Sequence, residues 1–421
     1  MHSQDRRSGV HRRPLSRFLI RRLARPVDSG SSPRTPEVDS LCPPGQTIIA
    51  GNDAELLASA EEALPRMLEA IRGATRTIDV EMYCFADDFV GCRFARTLAD
   101  RAARGVAVRV LVDAAGSRAT PRSFFGWMRE HGIRVRGVNP IRRFLLQGGL
   151  FRWRDHRKLV VVDGAGAFVG GLNLSRDYAP AREGGCGWRD AAVLVTGPVV
   201  ATLSASFERH WHEESKGSER RSAAAVARAA PSTGLGAGLG DVPVMVLESR
   251  PLGPGPFASV FRHAVERARQ RIWIASPYFL PPRSFRRALR RAVGRGVDVR
   301  ILVPRSSDCP FVLRASQRFY AYYLRSGIRL FEWPGVMMHS KAAVVDGAWS
   351  TIGSYNIDPL SLLVNRELNL VLLGRDLGSR FDAMFEQDFA RSGEVDAARW
   401  TSRSPLRRLA EHLCSAFRVF L

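Results

Sequence analysis

The sequence predicts an α/β protein made of two similar halves, each a mixed β-sheet flanked by helices. Three observations predict it. An eighteen-residue block, HRKLVVVDGAGAFVGGLN from His156 to Asn173, returns as HSKAAVVDGAWSTIGSYN from His339 to Asn356. The same order of helix-like and strand-like patterns precedes each block. A glycine-rich stretch, PSTGLGAGLG, separates the two halves and has the composition of a linker. Strands alternating with helices give layered α/β architecture.

In chain order, residues 1–41 are rich in Arg, Ser and Pro and read as a basic, disordered tail. Arg17, Arg21, Arg22 and Arg25 around Phe18–Ile20 and Leu23 read either as a solvated tail or as a short helix lying on an anionic membrane. The first half, 42–214, has an apolar helical period over Leu56–Gly73 and a strand pattern over Thr77–Phe85. A helix over Phe89–Arg104 and a strand from Val106 follow. Residues 215–240 are the predicted linker. The second half, 241–395, repeats the order with a helix over Phe257–Arg269, a strand from Arg271, a helix to Arg295 and a strand from Val297. Gly105 and Gly296 sit at the equivalent helix stops, where a left-handed backbone suits glycine. Residues 396–421 close the chain with Leu406, Leu409, Leu413, Phe417 and Phe420 at helical spacing after Ser404-Pro405. That helix reads either as packed on the core or as lying in a membrane interface.

Within each block, the apolar run Leu159–Val162 or Ala342–Val345 reads as a buried strand, and Asp-Gly as a turn into a second strand. Alternate strand residues face one way, so His156 shares a face with Lys158, and His339 with Lys341. An imidazole beside a permanent cation suits a phosphate ester. Asp163 and Asp346 fall at odd offsets from their histidines, off that face. They are expected to hold the turns through side-chain to backbone hydrogen bonds. His210 and His212 are expected to be ordinary surface or core residues.

The chain of 421 residues is long enough for two domains with full cores. Its formal net charge of +22 calls for a polyanionic partner, an anionic bilayer or a nucleic acid. No stretch approaches eighteen uncharged apolar residues, so no transmembrane helix is expected, and the apolar piece near Phe18 is too short for a signal peptide. Six cysteines lack metal-ligand or disulfide spacing, and Cys84 and Cys92 are expected to be small core residues. Between Pro140 and Trp153, arginines mix with Phe144, Leu145, Leu146 and Phe151, a composition that serves either a core or an interfacial loop.

The duplicated His-x-Lys-x4-Asp blocks resemble the phospholipase D superfamily. The likeness extends to WRDAAVLVTGPVV from Trp188 and to NIDPLS and NRELN from Asn356 and Asn365. These segments are most similar to bacterial cardiolipin synthases of the B form, which lack an N-terminal transmembrane hairpin. The resemblance spans about Ile48 to Phe389. It implies two domains related by a pseudo-twofold axis, with one shared active site formed by His156, Lys158, Asn173, His339, Lys341 and Asn356. Family signatures count Asp163 and Asp346 with the catalytic set. His156 is then the expected nucleophile, forming a phosphatidyl-histidine, and His339 the general acid and later base. Lys158 and Lys341, with the Asn173 and Asn356 amides, would bind the phosphate as charge builds on it. Each histidine needs a carboxylate on its second nitrogen. Asp190 is the candidate for His156 and Glu367 for His339. No metal and no cofactor are expected, because the sequence shows no carboxylate cluster to hold an ion.

These features imply a phosphatidyltransferase that joins two phosphatidylglycerol molecules into cardiolipin and glycerol. The expected partners are anionic phospholipids and a membrane surface, with no specific nucleic acid, and the location is peripheral on the cytoplasmic face of the bacterial cell membrane. A hydrolytic phospholipase D uses the same residues. A metal-independent nuclease suits the charge, but no interleaved base-stacking aromatics stand out.

Overall fold

The computed structural model describes residues 36–139, 153–214 and 241–416. Fifteen strands form one sheet. In chain order they are β1 (Ile49–Leu57), β2 (Thr77–Met82), β3 (Ala107–Asp113), β4 (Arg134–Val138), β5 (Lys158–Val162), β6 (Gly166–Gly170), β7 (Ala192–Thr196), β8 (Val242–Glu248), β9 (Arg271–Ala275), β10 (Asp298–Pro304), β11 (Arg329–Trp333), β12 (Ala342–Val345), β13 (Trp349–Gly353), β14 (Leu368–Leu373) and β15 (Gly393–Glu394). Their spatial order is β15-β11-β10-β9-β12-β13-β14-β8-β1-β7-β6-β5-β2-β3-β4. Outward from the antiparallel β1–β8 pair, the two halves list equivalent strands in the same order. The sequence reading gave each half its own sheet. The two are joined edge to edge, so the duplication is written into one continuous surface.

The parallel pairs β2–β3–β4 and β9–β10–β11 need crossover helices. Helices Ala60–Gly73, Phe89–Ala103 and Arg122–Glu130 cover one face of the first half. Their buried residues join Ile78, Val80, Val160 and Val162 in one apolar core. Helices Phe257–Arg267 and Arg283–Gly294 do the same for the second half, with Ile272, Ile274, Ala343 and Val345. On the opposite face, Val199–Glu213 and Arg375–Arg391 come from different halves but share one core with Leu159, Val161, Ala342 and Val344. Alternation along β5 and β12 therefore divides each block between a private core and a common one. Gly105 and Gly296 take φ of 86° and 87° just past their helices, a conformation that costs glycine no Cβ clash.

Three sequence expectations change. The helical reading of Leu56–Gly73 starts too early, because Leu56 and Leu57 end β1 and the helix begins at Ala60 behind the capping side chain of Ser59. The tail 1–41 is ordered at its end: Pro36–Ser40 is helical, and Val38 and Leu41 are buried in the second-half core. Cys84 and Cys92 are half-buried rather than core residues. The remainder of the tail, the segment Pro140–Arg152, the predicted linker 215–240 and the end of the C-terminal helix, with Phe417 and Phe420, lie outside the described residues. Among the described residues, Pro405–Ala416 is the expected helix, but its leucines point outward. Leu406, Leu409 and Leu413 are exposed while Glu411 and Ser415 are buried.

Candidate active site

Each block enters the sheet as a strand whose first residues cross to the other half. Asp155 bridges Arg366 and Arg189 bridges Met338, both in parallel sense. The backbone bonds are His156 N–H to Arg366 O at 2.9 Å and His339 N–H to Arg189 O at 2.7 Å. Each catalytic candidate is thus sewn beside the carboxylate segment of the opposite repeat.

The expected pairing of histidines and carboxylates is consequently exchanged. His156 Nδ1 donates to Glu367, 3.1 and 3.0 Å from its two oxygens, and lies 3.1 Å from Ser354 O. His339 Nδ1 donates to Asp190 Oδ2 at 2.7 Å. Similar offsets along the chain point to partners within one repeat, whereas the bridges between halves decide the pairing. Both carboxylates are fully buried; holding Nδ1 leaves the Nε2 of His156 for a reaction partner, whereas that of His339 lies 3.1 Å from Lys341 Nζ.

The two pairs differ in chemistry. Ser354 Oγ and Ser361 Oγ each donate to Glu367 at 2.6 Å. Burial alone would raise the Glu367 pKa, but His156, Lys158 and the Ser354 hydroxyl outweigh it and hold the carboxyl below its ordinary value. Asp190 accepts the Ala191 N–H at 2.8 Å, and burial pushes it up to about 6 despite Lys341. The position equivalent to Ser354 is Gly171, where an added Cβ would sit 2.4 Å from the Asp190 oxygens. The position equivalent to Ser361 is Tyr178. Its hydroxyl lies 3.1 Å from His339 Nδ1 and accepts from Asn173 Nδ2 at 2.8 Å. Burial lowers both imidazole pKa values, His339 strongly, with Lys341 and Lys158 adding repulsion there.

Lys158 Nζ donates to His156 O at 2.6 Å and stands 5.2 Å from the Tyr83 ring. Lys341 Nζ lies 2.8 Å from Nδ1 and 3.1 Å from Nε2 of His339. Burial, then the charge of Lys341, brings Lys158 down to about 7. Burial brings Lys341 to about 8 against the pull of Asp190 and Glu367. Two buried cations that repel each other form a site short of negative charge.

The other expected site residues divide. Asn173 spends part of its amide inside the protein, with Oδ1 accepting Cys84 N–H at 3.1 Å as well as the bond to Tyr178. Asn356 is buried, and its Oδ1 has no partner among the described residues. Asp163 and Asp346 stand at the far ends of β5 and β12, with φ of 54° and 52°. Asp163 accepts Thr75, Arg76 and Thr77 N–H at 2.9, 2.7 and 2.9 Å. Asp346 accepts Arg269, Gln270 and Arg271 N–H at 2.8, 2.8 and 2.9 Å. They tie down the starts of β2 and β9 rather than their own turns, about 16 Å from the lysines at roughly 3.3 Å per residue.

Sequence reading missed a buried ionic cluster on the reverse face. Glu81, Asp155 and His210 place ligand-type atoms within 4.8 Å of one another, against the expectation that no such cluster exists. His210 Nδ1 donates to Glu81 at 2.6 Å, and burial drives its pKa to about 2. Arg157, between His156 and Lys158 in sequence, donates to Ser206 Oγ at 2.7 Å and lies 4.0 Å from Glu81. Arg366 adds a second cation, 4.9 Å from the Trp153 ring; burial raises the pKa of Glu81 and, strongly, of Asp155, against the pull of Arg157 and Arg366. Arg157 also reaches Glu248 at 3.5 Å and Arg366 reaches Glu213 at 2.7 Å, so the cluster is a buried network of acids and guanidiniums behind the histidines. The signal for it in the sequence is the charge of Asp155 and Arg157 around His156 and of Arg366 before Glu367.

Comparisons with known proteins agree with this architecture. A family profile described as "Cardiolipin synthase, PLD-like domain" matches residues 67–211 and 261–389. Cardiolipin synthase A of Pseudomonas entomophila (strain L48) is 34% identical over 350 residues, 83% of this chain and 71% of that protein. Cardiolipin synthase A of Pseudomonas syringae pv. syringae (strain B728a) is 34% identical over 356 residues, 82% of this chain and 70% of that protein. The crystal structure of phosphatidylserine synthase from Haemophilus influenzae Rd KW20 superimposes with a TM-score of 0.69 at 14% identity, covering 90% of this chain and 98% of its own. The polyphosphate kinase of Porphyromonas gingivalis has a TM-score of 0.53 at 16% identity, over 82% of this chain and 49% of its own.

Proposed function

We infer that this chain, which belongs to the phospholipase D-like domain family of cardiolipin synthases and is a phosphatidyltransferase of that superfamily, joins two phosphatidylglycerol molecules into cardiolipin and glycerol. The observation that carries the reading is the crossed pair of buried imidazole–carboxylate couples beside two buried lysines. A phosphodiester brings the negative charge that the lysines lack, and restores their protonation as it binds.

In the first half-reaction, His156 Nε2 attacks phosphorus and the P–O bond to the glycerol headgroup breaks. The anionic phosphodiester between the lysines, with Asp190 on Nδ1, favours protonation of His339 as substrate binds, and the proton then on Nε2 passes to the departing glycerol oxygen. The phosphatidyl-histidine holds its positive ring against Glu367, which two serines keep ionised. In the second, His339 takes the proton from a hydroxyl of another phosphatidylglycerol. That oxygen attacks phosphorus, and the N–P bond breaks. Lys341, now lying against the His339 ring, is drawn to the phosphate oxygens when they arrive. The unpartnered Asn356 Oδ1 takes a substrate hydroxyl.

The reading includes peripheral attachment to the cytoplasmic face of the membrane. The outward leucines of Pro405–Ala416 beside Arg407 and Arg408 support that attachment. Among the described residues no helix is long and apolar enough to cross a membrane. Incubation with headgroup-labelled and phosphate-labelled phosphatidylglycerol tests the reaction. Labelled cardiolipin and glycerol in equal amounts, with a phosphatidyl-enzyme trapped by detergent quench at neutral to alkaline pH and lost in His156→Ala, are expected. Phosphatidic acid as the sole phosphate-labelled product would make it a hydrolase.

A further inference from the structure

Beside the second block lies an apolar groove of about 190 Å³, lined by Ala258, Leu280, Pro281, Phe319, Pro359 and Leu362 among others. Two links join it to the site. Leu280 N–H donates to Ile357 O at 2.7 Å, one residue beyond Asn356. The short helix Pro359–Leu363 gives Pro359, Leu362 and Leu363 to the groove, while its Ser361 holds Glu367.

The rim carries two further features. Leu252 is 67% exposed and Leu363 52%, and Leu252 N–H donates to Val364 O at 3.1 Å, which brings the two together. Leu252 also has φ of 58°, an unfavourable backbone for leucine. On the other side, helix Arg283–Gly294 carries Arg283, Arg286, Arg287, Arg290 and Arg291 and no acidic residue. It buries Phe285, Ala288, Leu289 and Ala292 and leaves Arg283, Arg287, Arg290 and Arg291 exposed. Apolar lining, exposed leucines at one lip and cations at the other repeat the profile of a bilayer surface, hydrocarbon below anionic headgroups.

We propose that this groove receives one acyl chain of an anionic phospholipid, with Leu252 and Leu363 dipping below the headgroup level and the arginines of Arg283–Gly294 against the headgroup phosphates. The proposal rests on the phospholipid reading above and adds to it where the lipid tail lies. Seating a chain there fixes the glycerol backbone near Asn356, and binding energy from the non-reacting tail serves to position the phosphorus.

The test uses the full chain on phosphatidylglycerol vesicles carrying a trace of the lipid with a photoreactive diazirine in one acyl chain. Adducts are expected on residues 280–286 and 359–363, falling at least fivefold in Ala258→Phe, which fills the groove. The kcat/KM ratio of long-chain over dibutanoyl phosphatidylglycerol is expected to fall tenfold or more in Ala258→Phe and in the surface variant Leu363→Asp. Adducts confined to other segments, or a ratio unchanged in both variants, would overturn the proposal. So would a dimer that Ala258→Phe dissolves with labelling unaffected, which gives the groove to a second copy. Adducts in the groove without turnover of either lipid would sink the phosphatidylglycerol reaction and leave the groove standing.

Discussion

His156 is held through its Nδ1 by Glu367, a carboxylate 211 positions further along the chain and in the other repeat. Neither block contains a complete imidazole–carboxylate couple, and this shapes each expectation about the site.

Glu367→Gln removes the charge that steadies the His156 ring without changing shape. By analogy with serine hydrolase triads, kcat should fall about 10²–10⁴-fold with a small change in KM. Rapid-quench measurement of phosphatidyl-enzyme should find its formation slowed in Glu367→Gln, and both its formation and its breakdown slowed in Asp190→Asn. The opposite assignment of the two variants would refute the crossed pairing as the basis of the roles.

Gly171→Ser copies the second repeat's Ser354 into the first. Its Cβ would meet the Asp190 oxygens at 2.4 Å, so Asp190 must shift from His339. Activity should drop at least tenfold, and urea unfolding should register a loss of about 1–3 kcal/mol.

The lysines predict the response to pH. With Lys158 at about 7 and Lys341 at about 8 in the free protein, kcat/KM should decline above pH 7–8 as phosphate-binding charge is lost. Bound phosphodiester stabilises the cations, so the fall in kcat should come at higher pH. Stability moves the other way. Unfolded lysines titrate near 10.5, so between about pH 8 and 10 the unfolded chain binds protons that the folded chain does not. Unfolding free energy then rises with pH in that window. Lys158→Met should flatten the rise and abolish turnover, as denaturant titrations across the window would record.

Asp163→Ala and Asp346→Ala each strip acceptors from three backbone N–H groups at a strand entry. A loss of about 2 kcal/mol is expected for half-exposed Asp163 and somewhat more for buried Asp346. The kcat of the folded fraction should stay within about threefold. A catalytic collapse at unchanged stability would return these residues to the chemistry.

Leu406, Leu409 and Leu413 changed together to Ser should reduce co-sedimentation with phosphatidylglycerol vesicles several-fold, while the melting temperature holds. Loss of stability instead would mean that these side chains serve the fold.

Much of this architecture was legible in the residues. The duplicated block named both histidines and both lysines, and Arg-Gly-Val junctions located equivalent strands, because those signals are local. The partner of each histidine was not legible. It depends on the Asp155–Arg366 and Arg189–Met338 bridges, and spacing along the chain carries no information about them. Tyr178 and Ser361 escaped notice for a related reason. They occupy the same offset from Asn173 and Asn356, yet differ in residue type, and pattern matching discards such differences. The Glu81–Asp155–His210 network stayed hidden because its members come from three separate segments.

The hydrogen-bonded seam between β1 and β8 has a consequence for how bulky lipids come and go. A plate continuous through its middle has no hinge there, so the protein does not open like a jaw to admit them. On the reaction proposed above, the lipids then reach the histidines past the loops at the strand ends rather than through a gap between the halves.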